Sequence, residues 1–206
     1  LFTPDYSGPV QADISARQDA QGWQVSGDAT GPVGTAATVS GRVGNTGTLA
    51  VSVTGSAPLA LANVYIAPRQ ISGLARFDLA INGPAALSSV RGPVTISDGR
   101  LTAPTLGQAL ENLNGTVTLA GGTARIDLRG QSTAGGGVTL SGPVDLAPPN
   151  QAALTIALSD VVLRDPTLYR TTVAGQVNIN GPLAGGASIT GTIDLGAAEV
   201  QVPSTG

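Results

Sequence analysis

Short stretches in which apolar and polar residues alternate strictly recur along most of the chain. In the segment 115–130, GTVTLAGGTARIDLRG, two of them follow one another, with Val117 and Leu119 and then Ile126 and Leu128 on one side of the alternation. Side chains of a strand point alternately to its two faces, so this period of two predicts strands with one buried face. The Gly-bounded unit occurs at 47–55, 73–83, 92–99, 115–121, 122–130, 137–142, 175–181 and 191–196.

This repetition predicts an all-β protein built from short, Gly-bounded strands. No long linker or change of composition divides the sequence, so residues 1–206 are predicted to form a single continuous β-array. LAPPN, 146–150, is the best candidate for a break. The sequence contains no methionine, which suggests a fragment of a longer protein. Gly-Pro pairs are predicted at strand starts or turns, because proline cannot donate to a β-ladder; they occur at 8–9, 31–32, 83–84, 92–93, 142–143 and 181–182.

Two stretches interrupt the alternation and place apolar residues at helical spacing. They are APLALANVYIAP, 57–68, and TLGQALENL, 105–113, where Leu106, Ala109, Leu110 and Leu113 follow that spacing. A helix of about two or three turns is too short to be stable alone in water. Both stretches are therefore predicted to be either brief helices packed on the sheet or irregular strands.

Composition excludes most kinds of conventional chemistry. Net charge is −3 with ten basic residues, all of them scattered arginines, which argues against a nucleic-acid surface. With no His, Cys or Lys in the sequence, the usual metal ligands, catalytic bases and P-loop lysine are missing. No catalytic residue, metal site or cofactor is therefore predicted, and the protein is expected not to be an enzyme. Four acids fall on the polar side of their strands, as solvated carboxylates would: Asp78, Asp127, Asp145 and Asp194.

The apolar side of the alternation is almost entirely aliphatic, and aromatic residues make up 3% of the chain. Two interpretations of this stripe remain open: the dry core of a closed sandwich, barrel or solenoid, or the lining of an open groove on a curled sheet. An open groove would need an apolar occupant, and acyl chains suit an aliphatic lining. The predicted lining residues are Leu79, Ile81, Val117, Leu119, Ile126, Leu128, Val138, Leu140, Leu154, Ile156, Leu158, Val177, Ile179, Ile189, Ile193 and Leu195.

The region 57–203 resembles the C-terminal region of the TamB family, the AsmA-like bridge lipid transporters of Gram-negative envelopes. The resemblance lies in the succession of LENLNGTVTLAGG, GGGVTLSGPVDL, TVAGQVNINGPL and GTIDLG. It implies an elongated, taco-like β-sheet with an apolar interior groove. It further implies a periplasmic segment of an inner-membrane-anchored protein, with the anchor outside this chain, and an Omp85-type outer-membrane partner, TamA.

The resemblance implies that the groove conducts phospholipids between the inner and outer membranes, with their acyl chains as the bound partner. The alternative function is structural or chaperone-like: a β-array that assists the assembly of outer-membrane proteins or autotransporters by pairing its strand edges with a client. The direction of the aliphatic stripe distinguishes the two interpretations of the sheet, since in a closed solenoid it would be dry and internal.

Overall fold

The structure is a computed structural model, which describes residues 9–165 and 169–200. Its described part contains thirteen strands and one α-helical turn, α1 (Asn63–Ile66). The strands are β1 (Gln11–Asp19), β2 (Gly22–Thr30), β3 (Ala36–Gly44), β4 (Leu49–Pro58), β5 (Gln70–Gly83), β6 (Val90–Ala103), β7 (Gln108–Ala120), β8 (Thr123–Ser132), β9 (Gly137–Asp145), β10 (Gln151–Asp165), β11 (Tyr169–Pro182), β12 (Ser188–Leu195) and β13 (Glu199–Val200).

All strands belong to one antiparallel sheet whose spatial order is the order in the chain. Each strand from β1 to β11 pairs with the next one, and β13 pairs with β11 beyond the end of β12. The sheet is open, because β1 and β12 lie at its two ends. The all-β prediction is confirmed, and the closed sandwich and barrel considered for the apolar stripe are not formed. The connection 146–150 joins β9 to β10, which pair with each other.

The two stretches with helical spacing have different structures. In 57–68, a 3-10 turn at Leu59–Ala62 leads into α1, so this stretch is a brief helix. The Oδ1 atom of Asn63 accepts a hydrogen bond of 2.6 Å from the backbone N–H of Ile71. This side chain therefore satisfies a donor at the start of β5, beyond the last residue of β4 that pairs with β5.

The second stretch, 105–113, is mostly an irregular strand. A 3-10 turn at Pro104–Leu106 precedes β7, and the register of β7 shifts against β8 between Glu111 and Asn114. Asn112, at φ 52°, lies at this bulge. One extra residue turns the strand over, so Leu110 and Leu113 both lie on the same face although they are three residues apart. The apparent helical spacing of the sequence is thus the signature of a bulge.

Bulges with left-handed residues cross the sheet at similar positions along its longer strands. Asp98 in β6, Asn112 in β7 and Asp160 in β10 have φ values of 51°, 52° and 50°, and the pairing registers shift at each of them. Asp and Asn tolerate this conformation better than most residues. Because bulges bend and twist a strand, their alignment curls the sheet.

Asn114 ties two of these bulges together. Its Oδ1 atom accepts a 3.1 Å hydrogen bond from the Asp98 N–H, and its Nδ2 donates a 2.8 Å bond to the Asn112 carbonyl. We expect Asn114→Ala to lower the free energy of unfolding by about 1 to 2 kcal/mol, because both bonds are lost. Urea denaturation measures this, with the exposed Asn180→Ala on the same face as the control. Equal losses in the two variants would contradict a bracing role.

Most glycines of the repeating unit lie inside strands and not at their ends, which differs from the Gly-bounded strands predicted. Gly92 and Gly142 have φ values of 129° and 131°, a region that only glycine adopts readily. A Cβ at Gly142 would overlap the carbonyl oxygen of Ala153 and lie 3.0 Å from the Leu154 Cα. At this φ a Cβ would therefore point into the backbone of the neighbouring strand, which is why only glycine fits at these positions.

The prediction that Gly-Pro pairs mark strand starts or turns is wrong for two of them. Pro93 lies inside β6 and Pro143 inside β9. Each pair leaves a gap in the ladder on one side: the registers skip Gly92-Pro93 against β5 and Gly142-Pro143 against β10, while β7 and β8 stay paired to them. Proline, which has no N–H to donate to a ladder, is accepted here because the ladder on that side is interrupted at both residues of the pair.

Little of the molecule is buried. The chain exposes 12675 Å², whereas a compact monomer of 20.3 kDa would expose about 9,000 Å². Among the described residues, the buried apolar side chains are few and all lie on one face: Val51, Ile96, Ala124, Ala152, Leu154, Val161 and Val173. The fold is thus a single curled layer with one apolar face that has no second sheet packed on it in the described part of the chain.

Candidate functional site

The strand registers place the predicted lining residues on one common face, which we call the apolar face. Residues paired across antiparallel strands point to the same side of the sheet. Val117 is opposite Ile126, Leu128 is opposite Leu140, and Leu140 is opposite Ile156. Following the pairs from β5 to β12 in this way brings together all sixteen residues predicted from the sequence.

Side chains of the apolar face are partly exposed in the middle of the sheet and more than half exposed on β12 at its end. Leu154 is 8% exposed, but Ile189, Ile193 and Leu195 on β12 are 70%, 51% and 70% exposed. The other twelve predicted residues are half-buried. In a closed core all of these side chains would be excluded from water. Here they are partly accessible, so the face is an open apolar surface.

The apolar face extends further than the sequence predicted. On β1 to β4 it includes Ile14, Val25, Val39 and Val53, which the registers connect to Leu79 on β5. The alternation was present in these strands, but the family resemblance began only at residue 57. Val161 on β10 was also missed, because the bulge at Asp160 reverses the alternation just before it. Val173 on β11 was missed although it keeps the parity of Val177, since it lies just outside the Gly-bounded unit 175–181.

Charges are confined almost entirely to the opposite face, which we call the polar face. Asp78, Asp127, Asp145 and Asp194 all have polar-face parity and are exposed, as predicted. Neutral polar residues on the apolar face are few: Gln18, Gln108, Ser132 and Thr171.

Several glycines on the apolar face lie opposite large aliphatic side chains. Gly92 lies opposite Leu119, Gly115 opposite Leu128, and Gly142 opposite Ile126. In each pair a large aliphatic side chain lies beside a position that has none; at Gly115, for example, the Leu128 Cδ2 atom is 2.9 Å from where a Cβ would lie. In its described part, the face therefore combines aliphatic side chains with glycines and offers few polar groups to orient a ligand.

None of the helices in the described residues has the length and apolarity needed to cross a bilayer. No curated protein and no solved structure matches the chain. A family model does match: residues 124–206 match the TamB C-terminal domain. This range begins in β8 and covers the second half of the apolar face, and it is narrower than the region 57–203 in which the resemblance was recognised. The resemblance to the TamB family predicted from the sequence is thereby confirmed over residues 124–206.

Proposed function

We propose that the apolar face binds phospholipid acyl chains and that this segment conducts phospholipids between the inner and outer membranes. The observation that carries the proposal is a single apolar face, continuous over twelve strands and half-exposed along its length. An apolar surface of this extent needs an apolar partner in water. The TamB domain supports a role in an envelope system for lipid or protein assembly.

The free energy of burying acyl CH₂ groups favours binding that is spread along the apolar face and weak at each point. Each buried CH₂ group contributes about 0.8 kcal/mol, so an acyl chain lying across several strands gains enough to remain bound outside a bilayer. Ligand orientation in a pocket is usually fixed by a few placed polar groups, and between β5 and β9 the neutral polar residues on the apolar face are Gln108 and Ser132, near one end of their strands. Bound chains can therefore shift along it, while their head groups stay in water at the rims of the sheet.

The test is native mass spectrometry of the chain purified without detergent, followed by lipid extraction. We expect phospholipid to accompany the wild-type chain and to be lost from Leu140→Arg, which puts a charge on the apolar face beside Leu128 and Ile156. The matched control is Ser141→Arg, an exposed polar-face position next to it, opposite Asp127. Circular dichroism verifies that both variants remain β-rich. A lipid-free, stably folded wild-type chain would refute the proposal.

A second candidate function is assistance in protein assembly by strand pairing. β12 is exposed at every position, and one of its edges has no partner strand among the described residues. Such an edge can receive a client strand. A lipid-free chain that binds an unfolded β-barrel strand would favour this function. Contact between TamA and this segment, and a periplasmic location on an inner-membrane anchor, are proposals that rest on the TamB family.

A further inference from the structure

A cleft of about 370 Å³ lies on the polar face, where β7, β8, β9 and β10 run side by side. Its volume is within the range of small-molecule sites, about 300 to 1,000 Å³. Six strands lie on one side of these four and two on the other, so the cleft does not depend on either end of the sheet. Its lining includes Asn112, Arg129, Gln131, Gly137, Thr139 and Ser159.

Gly137 forms the floor of the cleft. It lies on the polar face between Gln131 of β8 and Ser159 of β10, its partners in the two neighbouring ladders. Side chains that face one another across paired strands normally contact each other, and here the middle one is missing. In the next row of the same face, Arg129 lies opposite Thr139 and forms a wall.

The backbone does not require glycine at position 137. Its φ is not in the left-handed region, and a Cβ would meet its nearest atom, the Ser159 Cβ, at 3.9 Å, which is an ordinary contact. Every other glycine in the described strands has a positive φ or would place a Cβ within 3.4 Å of a neighbouring atom. Glycine weakens a strand and often marks a close approach of a ligand or of another backbone. At Gly137 no other backbone approaches, which leaves a ligand.

The walls of the cleft offer one cation and several hydrogen-bonding groups. Arg129 is exposed and forms no salt bridge with the described residues. The acid two positions before it, Asp127, does not line the cleft. A guanidinium can bind a carboxylate or a phosphate through two parallel hydrogen bonds. The amides of Asn112 and Gln131 are joined by a single long bond of 3.4 Å, so most of their donors and acceptors remain available to a ligand.

The bulge in β7 holds one wall of the cleft in place. Asn112 lies at this bulge with a φ of 52°. Its carbonyl accepts the 2.8 Å bond from the Asn114 side chain, which also accepts a bond from the Asp98 N–H on β6. A wall that is already fixed loses less conformational freedom when a ligand binds.

We propose that this cleft binds an anionic monosaccharide. Its carboxylate or phosphate pairs with the Arg129 guanidinium. Its hydroxyl groups, each both donor and acceptor, bond to the neutral polar side chains of the lining: Asn112, Gln131, Thr139 and Ser159. The cleft lies on the polar face, so this inference does not depend on whether the apolar face carries lipid.

Nuclear magnetic resonance titration of the isotope-labelled chain tests the ligand class. The probes are glucuronate and a glucose phosphate, with neutral glucose as the control. We expect the side-chain amide signals of Asn112 and Gln131 to shift saturably with at least one anionic sugar, with a dissociation constant of about 1 mM or below. Glucose should bind at least tenfold more weakly. No saturable shift with either anionic sugar, or equal affinity for glucose, would refute the proposal.

Three variants test the location. Gly137→Leu fills the cleft without a backbone collision, and Arg129→Gln removes its cation; each should weaken binding of the anionic sugar at least tenfold. Arg125→Gln is the matched control, because Arg125 is exposed on the same strand and face but does not line the cleft. Arg129 is exposed, so its replacement keeps the test decisive even if Gly137→Leu fails to fold by circular dichroism. Unchanged affinity in Arg129→Gln, or an equal loss in Arg125→Gln, would overturn the assignment.

Discussion

Gly142→Ala is expected to lower the free energy of unfolding by about 3 kcal/mol or more. Two costs add at this position. The φ value of 131° is strained for alanine, and the new Cβ would overlap the Ala153 carbonyl oxygen on β10. The strands cannot separate without disturbing Leu154, one of the few buried side chains. Urea denaturation monitored by circular dichroism measures the change.

Gly185→Ala is the matched control for this prediction. Gly185, in the β11–β12 connection, has a φ of 128°, and a Cβ there would meet no atom within 4 Å. It therefore bears the conformational cost without the collision, and we expect a loss of about 1 kcal/mol. Equal destabilisation of the two variants would show that the collision with the neighbouring strand is not what requires glycine at position 142.

Ile193→Arg is expected to slow phospholipid transfer between donor and acceptor vesicles at least tenfold. A charged group in the acyl path costs well over the roughly 1.4 kcal/mol that a tenfold change requires. Ile193 is on the apolar face of β12 and 51% exposed, so the substitution puts no charge into a closed core and should leave folding intact. Dequenching of a fluorescent phospholipid measures the rate.

The control for this experiment is Thr192→Arg, one residue away on the same strand. Thr192 is exposed on the polar face, opposite Gln176. The variant has the same net charge and an almost identical position along the sheet, so it should transfer lipid at the wild-type rate. Equal slowing by both variants would indicate a general effect of charge at the end of the sheet and would contradict a path along the apolar face.

Alternation alone was enough to predict the all-β class and the shared face of sixteen residues. It succeeds because each strand has one polar and one apolar side, and consecutive strands are neighbours in the sheet. Where consecutive strands pair with each other, the apolar sides of both lie on the same face of the sheet. Val117, Ile126 and Leu140 could thus be placed together without knowledge of the register.

Alternation fails where an extra residue changes the parity. The bulges at Asn112 and Asp160 bring Leu110 and Leu113, and likewise Leu158 and Val161, to one face at a spacing of three. Short sequence windows cannot distinguish this spacing from a helix. The Gly-Pro pairs inside strands could not be predicted for a related reason. Such pairs usually mark turns, and the gap in the ladder at which Pro143 lies depends on its pairing with β10.

Site-specific photo-crosslinking in cells tests the central claim, that the apolar face carries lipid, most directly. A photoreactive amino acid is placed at Ile126, on the apolar face opposite Val117, and separately at its neighbour Arg125, which is exposed on the polar face. The account predicts phospholipid adducts at position 126 and none at 125. Adducts at neither position, or equally at both, would contradict it.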